Sequence, residues 1–152
     1  MRRTSLGSAL CPIARSLDEI GDWWTMLIVR DAFRGSRRFS EFQKSLGLAK
    51  NILSTRLRQM VANGILEMRP AADGGARLEY HLTEKGRRLR LVLIALRQWG
   101  EDNLFAEEEE PSTIMVEEAT GQPIGRLRLT AQDGRALGIE DIVVRERQRV
   151  EN

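Results

Sequence analysis

One cysteine, Cys11, and one histidine, His81, are the whole supply of two side chains on which metal sites and nucleophilic catalysis depend. A zinc-type site needs several convergent ligands, which this pair does not provide. A Cys–His nucleophile also needs a third group to orient the base, and nothing in the neighbouring sequence supplies one. No glycine pattern that would cradle phosphates occurs. The chain is therefore read as non-enzymatic and free of cofactors, with His81 a structural residue in a strand. A lone cysteine builds no intrachain disulfide, which agrees with a reducing compartment. Apolar runs never exceed a few residues, so no membrane span is expected. The start, MRRTSLGSALCP, has basic residues but neither an apolar run nor a convincing cleavage site, so a cytoplasmic protein is expected. Lysine is nearly missing too. Only Lys44, Lys50 and Lys85 occur, leaving 21 of the 24 basic residues as arginine, the side chain better suited to bidentate contacts with phosphate or guanine.

The net charge of +2 hides an asymmetry. Residues 1–105 carry 18 Lys+Arg against 11 Asp+Glu, a net of +7, and residues 106–152 carry 6 against 11, a net of −5. A basic segment followed by an acidic one suits a phosphate-binding body with an appendage. At 41% hydrophobic and 30% charged residues, the chain has the composition of a folded protein.

Within the basic segment the apolar residues recur at helical spacing. Pro12, Ile13, Leu17 and Ile20 predict a short helix closed by Gly21. Trp24, Leu27, Ile28 and Ala32 predict a second, closed by Gly35. Ser40 with Gln43 reads as a capping box opening a third helix, with Phe39 stapling it and Phe42 and Leu46 facing inward. Gly47 gives the turn. A fourth helix buries Leu53, Leu57, Met60 and Val61 and turns Asn51, Thr55, Arg58 and Ala62 to the opposite side, before Asn63-Gly64 stops it. Residues 65–69 and 78–82 read as strands around an Asp73-Gly74-Gly75 turn. Thr83 then caps a long helix running to about Phe105, with more apolar surface than packing on one side requires, which suggests a subunit interface. Residues 107–110, all glutamate, and Pro111 read as a linker. The remainder has partial strand alternation at Ile124, Leu127 and Leu129, and turns at Thr120-Gly121 and Asp133-Gly134. The expected fold is mainly α with a β wing, a winged helix-turn-helix, plus a small C-terminal β unit too small to be stable alone. The expected division is residues 1–106 for DNA binding and dimerisation, 107–111 for an acidic linker and 112–152 for the β-rich appendage.

Several of these elements, in this order, resemble the HxlR family of winged-helix transcriptional regulators, themselves MarR-like in architecture. The resemblance rests on the Trp24 segment, Arg38-Phe39, the run Leu53-Ser54-Thr55-Arg56-Leu57, Glu79-Tyr80 and Leu82-Thr83, and spans residues 11–105. It implies a homodimer built from terminal helices, placing two recognition helices on a pseudo-palindromic operator in double-stranded DNA. Two departures stand out: Ala49 where the family usually has a capping serine, and Gly74-Gly75-Ala76 where many members have prolines.

The base-facing candidates are Lys50, Asn51, Ser54, Thr55 and Arg58, because recognition helices touch bases mainly through their N-terminal half. Arg37 and Arg38 are candidates for phosphate contact, and Arg77 for contact from the wing. Cys11, next to Pro12 and a turn from Arg15, is a candidate redox sensor, a role that a cysteine near this position has in some members of the resembled family. Trp23, Trp24 and Trp99 are candidates for lining an effector pocket, with a small molecule or an oxidant as effector. The competing reading is a ligand- or thiol-responsive interaction module on the same fold with little sequence-specific DNA binding.

Overall fold

The computed structural model describes residues 4–147; the outermost residues of the two expected domain ranges, 1–3 and 148–152, lie outside these. Asp22, in extended conformation, accepts the backbone amides of Trp24 and Thr25, both at 3.0 Å, and so starts the helix Trp23–Phe33 (α2). Before it lies α1, Pro12–Ile20, with proline in its first turn. Next come α3, Phe39–Leu46, and α4, Lys50–Ala62, separated by Gly47 in the left-handed conformation (φ 64°) that the tight turn demands. The wing is an antiparallel pair, β1 (Leu66–Pro70) and β2 (Leu78–Leu82), with Leu66 opposite Leu82 and Pro70 opposite Leu78. Ile28, Phe42, Leu53, Leu57 and Leu66, all essentially without exposure, close the core between α2, α3, α4 and the wing. Each such side chain contributes roughly 1.5–3 kcal/mol of burial.

The local structure departs from expectation in three places. The cap of α3 is not Ser40 with Gln43. The helix starts at Phe39, and the Glu41 carboxylate accepts the amides of Arg37 (2.6 Å) and Arg38 (2.9 Å), while Gln43 donates instead to the Leu48 carbonyl. A carboxylate at the third helical position reaches back to the N-cap amide, and at Gln43 the side chain is a turn too late. The long helix after Thr83 is in fact two: α5, Glu84–Arg88, and α6, Arg90–Asn103. At Leu89 the amide bonds three residues back, to Gly86, tightening one turn between them. The tail, finally, has little strand. It holds β3 (Leu129–Thr130) paired with β4 (Ala136–Leu137), one isolated bridge, Val116 to Pro123, and a single 3₁₀ turn at Ile139–Asp141.

The described residues form two compact units that part between Leu93 and Ile94, inside α6. Side chains at the end of α6 explain why it goes with the tail. Arg97 donates to the Thr113 hydroxyl at 3.0 Å, Gln98 donates to the Gly125 carbonyl and accepts the Leu127 amide, and Arg126 pairs with Asp102. No described residue of this second unit is buried, so polar contacts rather than a core hold it. Among the described residues, no helix is long and apolar enough to cross a membrane.

Candidate nucleic-acid interface

The 3.6-residue period sorts α4 into two faces. Leu53, Leu57 and Met60 are buried, whereas Lys50, Asn51, Thr55 and Arg58 are exposed and Ser54 is half-buried. The helix is anchored from one side by Arg56, whose guanidinium lies 3.5 Å from Asp22 and 3.3 Å from the Gln59 side chain. Arg56 is therefore committed to the scaffold, and Asp22 both caps α2 and ties it to α4. An aspartate just before a helical run is a recognisable cap, so the sequence itself carries the signal that starts α2 at Asp22. The Thr55 hydroxyl donates to the Asn51 carbonyl at 2.8 Å, which leaves its oxygen as an acceptor and its methyl for apolar contact. Ala49 precedes the helix with no side-chain cap, so the amides of the first turn keep their partial positive charge toward solvent. Ile52, also exposed, adds an apolar spot in the same first turns.

The arginines flanking α4 divide by what they touch. Arg37 donates one guanidinium nitrogen to the carbonyls of Ala32 (2.7 Å) and Ser36 (2.8 Å). Arg38 pairs with Asp73 in the wing turn at 2.9 Å and with Glu79 at 3.6 Å. These two candidates thus have internal partners: Arg38 latches the wing turn to the start of α3, and Arg37 closes the end of α2. Arg77 is exposed on the wing, and its charge adds to those holding the Asp73 carboxyl ionised. His81 lies 3.1 Å from Glu79, consistent with a structural role.

This wing latch titrates in acid. The Gly75 amide and then the Arg38 guanidinium hold the Asp73 carboxyl below its ordinary value, and the amides of Arg37 and Arg38 hold Glu41 down in the same way. Both groups thus bind protons more weakly in the folded chain than in the unfolded one. Their contribution is complete above the ordinary carboxylate range and is lost as pH falls through their depressed folded values. Thermal midpoints are expected to decline shallowly in that acid window. The Asp73→Asn and Glu41→Gln variants should each flatten the decline, as followed by circular dichroism across pH.

The other candidates are dispersed. Cys11 is exposed at the start of α1 with no side-chain capping bond, and Arg15 donates to the Ala9 carbonyl. Trp24 packs against the core, Trp23 is 85% exposed and, in the second unit, Trp99 is 60% exposed. Neither cleft described in the two units is lined by a tryptophan. Among the described residues, no cluster of three or more His, Cys, Asp or Glu is placed to hold a metal ion.

A three-helix body with an antiparallel wing behind an exposed, polar fourth helix is matched by a known family. The HxlR-like helix-turn-helix profile fits residues 19–108. The chain belongs to the HxlR-like helix-turn-helix family. One relative, Rv3095 of Mycobacterium tuberculosis, described as an uncharacterised HTH-type transcriptional regulator, is 40% identical over 99 residues, 65% of this chain and 63% of its own length. The chain thus spans just under two thirds of that relative. The crystal structure of PA1607, a candidate transcription factor, is similar at 54% identity and a TM-score of 0.89, covering 95% of this chain and 100% of that one. That likeness runs past the HxlR-like segment into the second unit. The redox regulator HypR in its oxidised form is similar at 31% identity and a TM-score of 0.56, over 63% of this chain and 100% of its own.

Proposed function

We propose that this chain is a transcriptional regulator that binds double-stranded DNA by laying α4 in the major groove. The observation that carries this reading is the face of α4. Lys50, Asn51, Thr55 and Arg58 stand exposed on a helix whose other side is locked into the core. Asn and Arg are suited to bidentate contact with adenine and guanine, and Thr to a base edge or the thymine methyl. Ser54, half-buried, and Lys50 serve the flanks, while the uncapped first turn and Arg77 on the wing meet phosphates. Catalysis is no part of this function, which belongs in the cytoplasm where the DNA is.

The protein acts as a homodimer on a pseudo-palindromic operator. Leu10, Ile13 and Leu17 around α1, and Leu91, Leu96 and Trp99 on α6, are large, apolar and exposed in the single chain, and a second copy would bury them. Two half-sites about one helical turn apart then follow from the two-fold axis. A second reading, favoured by the exposed thiol and the likeness to a redox regulator, makes Cys11 an oxidant sensor. With one cysteine per chain, its oxidised form is an intersubunit disulfide or a mixed disulfide with a small thiol.

The test is fluorescence anisotropy of the reduced protein against its own upstream DNA and a scrambled duplex over a salt series. Preference for the upstream DNA by about 10³ or more is expected. No binding to either duplex at low salt sinks the proposal, and equal binding to both leaves phosphate contact but removes operator reading at that site.

A further inference from the structure

Behind the wing, the first unit holds a cleft of about 190 Å³ whose polar walls include three arginines. Arg37, Arg69, His81 and Arg87 line it, over a floor that includes Phe33 and Leu82. The guanidinium of Arg90 lies over the Phe33 ring, 4.6 Å from its centroid, and adds a further positive charge beside the floor. Gathering like charges in one recess is unfavourable unless something of opposite sign offsets it. The carboxylates nearby do this incompletely. Glu67 pairs with Arg69, and Glu79 is divided between His81 and Arg38. Glu41, which feels the charge of Arg37, is already bonded to backbone amides. Arg37 and Arg87 form no ion pair; each is fixed by donating to main-chain carbonyls, Arg37 to Ala32 and Ser36 and Arg87 to Leu82 at 2.9 Å.

We propose that this cleft binds a single phosphate group through Arg37, Arg69 and Arg87. The guanidinium fork matches a tetrahedral oxyanion, and charge-assisted hydrogen bonds to it are the strong kind. Two of the three forks are already held by carbonyls, so little side-chain freedom is lost on binding. The volume lies below that of ordinary small-molecule pockets, which suits a single phosphate group. The phosphate comes either from the DNA backbone or from free solution, and the chemistry of the site is the same for both.

The experiment uses the full chain, inorganic phosphate and the variants Arg69→Gln and Arg87→Gln. Arg69→Gln matters most, because Arg69 bonds no main-chain group, so its loss is not confounded by unfolding. In the absence of DNA, saturable phosphate uptake followed by calorimetry is expected, with sulfate competing and chloride not. Each variant should weaken it about tenfold or more, the loss of one charge-assisted hydrogen bond. If the cleft instead takes a backbone phosphate, Arg69→Gln makes the log–log salt slope of DNA binding shallower by about 0.9, and free phosphate weakens the complex. If it takes free phosphate, the slope is unchanged and uptake is the same with DNA present. Absence of uptake together with an unchanged slope overturns the proposal, as does uptake that both variants leave intact. Because uptake is measured without DNA, failure to find an operator does not touch it.

Discussion

Replacing Asn51, Thr55 and Arg58 together by alanine is expected to lower the preference for operator over scrambled DNA by about three orders of magnitude. Each base contact of this kind discriminates by roughly 1–3 kcal/mol, so three together are worth about 3–9 kcal/mol, a range that contains the ~4 kcal/mol such a ratio represents. The fold should not suffer. All three side chains are exposed, and alanine is at least as good a helix former as any of them. Thr55 loses only the bond from its hydroxyl to the Asn51 carbonyl, a small local effect. An unchanged melting curve with a collapsed specificity ratio is therefore the expected pair of results. Lys50→Ala makes the contrasting case, because a point charge at the first residue of α4 meets phosphate and should weaken both duplexes alike while reducing the salt slope. If the triple variant keeps its ratio, α4 is not the reading element. Attention would then move to the wing and Arg77.

What the sequence made legible was whatever a local period encodes. The burial of Leu53, Leu57 and Met60 follows from spacing alone, and so does the exposure of Asn51, Thr55 and Arg58. Glycines marked the turns for a physical reason: Gly47, Gly64 and Gly74 all take positive φ. The range of β2 and the ends of α1 came out as expected because turn residues or a proline flank them. What was not legible depends on partners distant in the chain. At Arg38 the sequence leaves phosphate contact and an internal ion pair both open, and only the fold brings Asp73, 35 residues away, within 2.9 Å of it. The cleft behind the wing combines α2, β1, β2 and α5, so no local pattern announces it. The acidic run suggested a boundary at a change of composition, whereas the compact units divide earlier, where Arg97 and Gln98 begin to hold the tail. Exposure of the α4 face was readable from its period, whereas contact with bases is a property of the complex.

Gly86→Ala is expected to destabilise the first unit by about 2 kcal/mol or more, although alanine is the better helix former by roughly 1 kcal/mol. The sign is decided by what lies beside the α-carbon. A Cβ at Gly86 would sit 2.2 Å from the Ile65 carbonyl oxygen and 3.0 Å from a Leu82 methyl. The leucine could turn aside, but the Ile65 carbonyl is already occupied. It accepts the Thr83 amide at 3.1 Å, while the Thr83 hydroxyl caps α5 by accepting the Gly86 amide, also at 3.1 Å. Moving α5 away therefore breaks its cap and its attachment to the start of the wing together. For a unit of this size the loss corresponds to a fall in melting temperature of roughly 8 °C or more. Gly100→Ala is the matched control. Gly100 lies within α6 with nothing within 4 Å of its prospective Cβ, so the same substitution should gain about 0.5–1 kcal/mol of helix stability. Opposite signs in thermal melts of the two variants would show that packing at Ile65, rather than helix propensity, makes position 86 a glycine. A stabilised Gly86→Ala would mean that α5 can shift off the wing at no cost. In that case the bond from the Gly86 amide to the Thr83 hydroxyl would not be what fixes α5 against the wing.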